Sequence, residues 1–149
     1  MRVQPFTLFV LLLCILTAIN CRTPEQEAGV LNLPPQNTYR AESLDFSDGQ
    51  QTHKIKAAFI TPGFLRPTGV HPALGRAFLD EEYNPGRYRV VMLSERFWRE
   101  RFNEKPEIIG QEIDLAGNKH TVIAVMPKGF DLPSGTDVWL PDLKSSGNQ

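Results

Sequence analysis

Proline and glycine punctuate this chain so densely that long helices have little room. Its 149 residues include 12 Pro and 11 Gly. A proline inside a helix removes a backbone donor and clashes with the preceding turn. Short strands and short helices joined by turns are therefore expected. The length accommodates one domain of roughly 100–150 residues. With 16 Lys+Arg against 17 Asp+Glu, mixed along the chain, the net charge is −1. That balance argues against a nucleic-acid partner, which calls for a basic patch or stripe. Two cysteines exclude a disulfide-rich scaffold.

One segment escapes the punctuation. Residues Phe6 to Ile19 read FTLFVLLLCILTAI, uncharged throughout. A membrane span needs about 20 apolar residues, whereas the apolar core of a secretory signal needs about 7–15. With Arg2 ahead of it, the run reads as an export signal. Cys21 follows at once, where a bacterial lipoprotein signal carries its lipidated Cys. Ala18 and Asn20 depart from the usual residues of such a signal. Cys21 is thus the candidate lipidation site. The alternatives are retention of residues 1–21 as a short anchor, or cleavage and release. Each places the rest of the chain outside the cytoplasm, in the periplasm or its equivalent.

Residues 22–50 contain Thr23-Pro24, Pro34-Pro35 and Asp48-Gly49 among many polar residues. They read as a Pro-rich spacer, with a strand starting near Leu44-Asp45-Phe46 and a turn at Asp48-Gly49. The folded core is expected over 51–141, and 142–149 form a polar tail. Ile55, Ala57 and Phe59 alternate with Lys56 and Ala58, predicting a strand with one buried face. Thr61-Pro62 resembles an N-cap followed by Pro at the first helical position. Irregular structure is expected around Pro72, Gly75 and Pro85-Gly86. Arg89 to Leu93 reads as a buried strand. Ser94 is placed to cap the next helix, which carries Phe97, Trp98 and Phe102 on one face. Glu95/Arg99 and Arg96/Glu100 are spaced for i,i+4 pairing on the other. Pro106 to Ile109 reads as one further helical turn. Ile113 and Leu115, the Ala116-Gly117-Asn118 turn and the strand from His120 to Met126 predict a β-hairpin near residues 111–126. Val138 to Pro141 closes the series. The expected fold class is α+β, a small mixed β-sheet with one main helix packed across it.

Little in this pattern points to catalysis. His53, His71 and His120 are far apart in sequence, and no paired-Cys or H-E-x-x-H spacing suggests a metal. Ser94 is not in a G-x-S-x-G elbow and reads as a cap. Asp80-Glu81-Glu82 is the densest acidic cluster, but adjacent positions do not converge, so a solvated turn or helix start is expected. Arg96, Arg99 and Arg101 give the helix a basic side that Glu95 and Glu100 largely neutralise. No catalytic, cofactor-binding or metal-ligating residue is assigned.

Six segments in order resemble the MacB-like periplasmic core domain of ABC transporter permeases. They are Ile60 to Leu65; Gly69 to Phe78, with its Pro72, Gly75, Arg76 and Phe78; the acidic patch Asp80 to Glu82; Val90 to Ser94 with Phe97-Trp98 and Phe102; Ile109-Gly110 with Thr121 to Pro127 and Gly129-Phe130; and Asp137 to Pro141. The resemblance spans about residues 42–141. Pro67 and Thr68 depart from it and should shorten the helix after Thr61. The spacer stands where the family has an opening strand–helix unit, and the transmembrane helices that would meet an ATPase are absent from the chain. The resemblance implies a partial domain without catalysis. It would act by protein contact or mechanical coupling in a system whose permease and ATPase subunits are its partners. The alternatives are a membrane-anchored ligand-binding lipoprotein using the same domain, and a permease remnant without function.

Overall fold

A computed structural model describes residues 38–143; the apolar run, Cys21 and most of the polar tail lie outside the described residues. Seven strands carry the fold. They are β1 (Tyr39–Ser47), β2 (Thr52–Ile60), β3 (Leu74–Gly75), β4 (Val90–Leu93), β5 (Glu112–Leu115), β6 (Asn118–Val125) and β7 (Val138–Pro141). Among the described residues there is one α-helix, α1 (Glu95–Phe102), with 3-10 turns at Arg66–Thr68, Asp80–Tyr83 and Pro106–Ile108.

The strands run in the order β3-β6-β4-β7-β2-β1-β5, and β5 pairs again with β6. Six strands thereby form a closed ring, with the two-residue β3 added along β6. β2 pairs with β7, and β4 with β6, in parallel; the other ladders are antiparallel. The expected α+β class holds broadly, but the proportions differ. The sheet dominates, and α1, with 8 residues, is only about 12 Å long at 1.5 Å per residue. Such a helix cannot cover seven strands, and closure of the ring does much of the burying.

Two cores result. Phe46, Ile55, Ala57, Val91, Leu93, Val122 and Leu140 belong to one, which also receives Phe97 from α1. Ala58, Ile60, Phe64, Met92, Met126 and Trp139 belong to the other. β2 is therefore buried on both faces from Ala57 to Ile60, with Phe59 half-buried. This corrects the single buried face expected for it. A sheet covered on two sides takes apolar residues at successive positions.

The expected spacer is corrected in its second half, because residues 39–47 form β1 and pair with β2 along nine residues. Only the end of β1 near Leu44-Asp45-Phe46 is legible as a strand in the sequence, because Arg40, Glu42 and Ser43 hide the alternation of the first half. Asp48 shapes the turn between the two strands: its Oδ1 accepts the Gln50 and Gln51 amides at 2.9 and 2.7 Å. Thr61 is not a helix cap. Its hydroxyl donates to Thr38 O and accepts from Thr38 N, tying the start of β1 to the end of β2. Only one 3-10 turn forms after it, at Arg66–Thr68 with Pro67 in its first turn. The stretch expected to be irregular around Gly75 contributes β3.

Local signals were reliable where the structure stays local. Ser94 Oγ accepts the Phe97 amide at 3.1 Å. Ser94→Ala should cost about 1 kcal/mol, read as a lower urea midpoint with an unchanged slope. α1 ends at Asn103, whose left-handed backbone (φ 51°) suits an Asn. The predicted hairpin is β5–β6, turned by Ala116 and Gly117, both at positive φ. Trp98 and Phe102 pack partly buried against the first core, and Trp98 Nε1 donates to Lys105 O at 2.9 Å.

Candidate functional site

Three strand ends and the end of α1 enclose a groove of about 600 Å³, lined among others by Phe46, Asp48, Arg101, Phe102, Glu112 and Lys119. The β1–β2 turn supplies Asp48, the last turn of α1 supplies Arg101 and Phe102, and the β5–β6 hairpin supplies Glu112 and Lys119. The Gln51 and Gln50 amides hold the Asp48 carboxyl below its ordinary range. His53 lies beside it, with Nε2 3.4 Å from Asp48 Oδ2 and 3.3 Å from Arg101 Nη1. Lys119 Nζ lies 3.8 Å from Asp114 Oδ2. The groove thus presents both signs of charge above an apolar floor. Such a lining suits a polar protein surface better than a singly charged ligand. Sequence reading could not find it, because its residues come from three separate segments and share no spacing.

The residues singled out in sequence do not assemble into one site. Arg96 reaches Asp137 at 2.6 Å instead of Glu100, Arg99 pairs with Glu95 at 2.9 Å, and Arg101 turns to His53. The three arginines diverge, so the helix offers no shared basic face. The acidic trio diverges as well. Glu81 pairs with Arg87 at 2.8 Å, and Asp80 borders a small cavity with Phe78 and Tyr83. Glu82 is buried, contrary to the solvated turn expected of it. It accepts both Arg76 guanidinium nitrogens and the Leu79 amide. Burial pushes its carboxyl up, but Arg76 and Leu79 outweigh this and hold it below the ordinary range. This clamp fastens the 3-10 turn to the residue after Gly75. Beside it, burial raises the Tyr83 phenol, with Asp80 and Glu82 adding to the effect.

His71 is exposed, while His120 is buried on β6 with Nδ1 3.0 Å from Asn118 O. Among the described residues no three His, Cys, Asp or Glu side chains are arranged to hold a metal ion. Burial lowers the His120 pKa from 6.5. The unfolded chain therefore binds this proton more readily than the folded one. The contribution is fully present above about pH 6.5 and is lost as pH falls toward the lower folded value. Urea titrations from pH 7.5 to 5 should show His120→Gln losing less stability than the wild type across that interval. Equal losses would overturn this assignment.

The segments that carry the family motif occupy defined places in this fold. Gly75 and Arg76 sit at β3, Phe97 and Trp98 on α1, and Trp139 on β7. A family model described as the MacB-like periplasmic core domain matches residues 21–149. The chain belongs to that family. The match takes in Cys21 and the segment read as a spacer. Solved structures share the MacB-like fold. The extracellular domain of the noncanonic ABC-type transporter YknZ from Gram-positive bacteria aligns with a TM-score of 0.59 and 18% identity, over 72% of this chain and 53% of that one. The periplasmic region of MacB from Actinobacillus actinomycetemcomitans aligns with a TM-score of 0.56 and 16% identity, over 76% and 49%. The chain thus spans about half the length of these domains. No curated protein sequence matches it.

Proposed function

We propose that this chain is a non-catalytic extracytoplasmic domain of a MacB-like ABC transporter system, acting by protein contact or mechanical coupling. The family match over residues 21–149 carries this reading. The site geometry supports it, since Glu82, Arg96 and Arg99 are engaged in structural pairs. The mixed-charge groove at the end of α1 is the surface through which contact would be made. The uncharged run Phe6 to Ile19 and Cys21 would export the chain and hold it at the membrane, with Cys21 the candidate lipid attachment point. No helix among the described residues is long and apolar enough to cross a membrane.

Affinity capture of the tagged full chain from detergent-solubilised membranes of its source cell tests the proposal. A permease or ATPase component of an ABC system should co-purify. That recovery should fall when Arg101 and Lys119, which line the groove, are both replaced by Glu. Recovery of no transporter component would overturn the reading.

A further inference from the structure

Among the described residues, ring closure leaves the first part of β1 without a ladder on its outer edge. β1 and β2 pair with Thr38 opposite Thr61, and Thr61 N donates to Thr38 O. The even-numbered residues of β1 therefore bond to β2, and the odd-numbered ones turn their N–H and C=O groups to the other edge. Asp45 confirms the parity, because its carbonyl accepts the Ala116 amide beside β5. The β1–β5 ladder pairs only Phe46 and Ser47. Tyr39, Ala41 and Ser43 thus face outward with no ladder partner on that side among the described residues, and all three are exposed.

The residues between them are self-complementary. In the segment Tyr39-Arg40-Ala41-Glu42-Ser43, Ala41 is a centre of reversal. Two antiparallel copies crossing at Ala41 place Tyr39 opposite Ser43 and Arg40 opposite Glu42, twice over. The outward groups of residues 39, 41 and 43 then meet as hydrogen-bonded pairs. Arg40 and Glu42 fall in the non-hydrogen-bonded pairs, where side chains approach most closely. Arg40 is already held in place, with its guanidinium carbon 4.2 Å above the Phe59 ring, an ion pair to Glu42 of its own strand and Asp142 at 3.7 Å. Crossing strands would bring two such Arg40–Glu42 pairs side by side, each cation facing the other copy's carboxylate. The Arg40 Nε is buried and has no hydrogen-bond partner. Charged side chains normally protect an edge from pairing, but this order of charges favours one register and one partner.

We propose that the free edge of β1 pairs two copies of this chain, antiparallel and centred on Ala41, as an isologous interface. This goes beyond the assignment to a transporter system and does not depend on it.

The test uses the full chain, purified in detergent and studied by sedimentation. The wild type should form a dimer. Ala41→Pro should abolish it, because only the outward N–H is lost and the β1–β2 ladder keeps its bonds. Glu42→Arg should weaken it about tenfold by setting like charges opposite one another. The exchange Arg40→Glu with Glu42→Arg should restore it. Ala41→Cys should cross-link above the wild-type background from Cys14 and Cys21, since such a pair lies about 5.5 Å apart at Cα. Thermal unfolding of each variant confirms that the protomer is folded. A monomeric wild type, a dimer that survives Ala41→Pro in the folded variant, or failure of the charge exchange to restore pairing would overturn the proposal. Occupation of this edge by a different protein would do the same.

Discussion

Gly75→Ala should leave little folded protein. A Cβ built on Gly75 would stand 1.9 Å from the Ile123 carbonyl oxygen and 3.0 Å from the Ala124 Cα. Both obstacles are backbone atoms of β6, so no side-chain rotation relieves the clash. The backbone at Gly75 is also left-handed (φ 76°), which disfavours any side chain. Ala73 N and Arg76 N donate to Val125 O and Ile123 O at 2.8 and 3.1 Å, so moving β3 away would break the bonds that hold it. A loss above about 4 kcal/mol is expected, against the 5–15 kcal/mol that separates folded from unfolded domains. Gly117→Ala provides the comparison. It has the same sign of φ, yet nothing lies within 4 Å of its added Cβ. It should cost only about 1–2 kcal/mol. Chemical denaturation and soluble yield separate the two variants. Similar behaviour would show that conformation, and not the close approach, governs Gly75.

Trp139→Ala should be the most damaging side-chain truncation. Trp139 is fully buried on β7 between β2 and β4. Its ring centroid lies 5.3 Å from that of Phe130, and its Nε1 donates to Leu132 O at 2.9 Å. Removal of the indole opens a cavity in the second core and leaves that carbonyl without its donor. A loss of about 3–5 kcal/mol is expected. Trp139→Phe refills most of the space but not the hydrogen bond, so it should cost about 1–3 kcal/mol. The difference in urea midpoint between the two variants apportions the effect. If Phe were as damaging as Ala, the hydrogen bond to Leu132 and not ring volume would hold this loop.

How far each element was legible depended on the distance over which it is determined. The β5–β6 hairpin and the Ser94 cap were readable because their determinants lie within a few residues of one another. The aromatic face of α1 was readable from helical spacing, and its Phe97 reaches the first core. By contrast, β1 carries a charged and hydroxylated sequence that becomes a strand only because β2 lies alongside it. Glu82 looked like one of three solvated carboxylates until Arg76 was seen to fold back over it. Arg96 had a local partner in Glu100 and chose Asp137, which β7 brings to the N-terminal end of α1. The groove is still less local, since it exists only where the β1–β2 turn meets the end of α1 and the β5–β6 hairpin.

The sequence alone determined the punctuation, the order of most of the strands, the turn positions, and a family motif specific enough to name. Each of these depends on backbone preferences and side-chain periods that act over a few residues. Tertiary structure decided the closure of the ring, the division into two cores and the meaning of Gly75. It also left one edge of β1 without a ladder partner among the described residues. Those outcomes depend on backbone groups from distant segments meeting within hydrogen-bonding or van der Waals distance. A chain with so many Pro and Gly residues can form only short elements, but which of them become neighbours is settled by burial and ladder pairing across the whole domain.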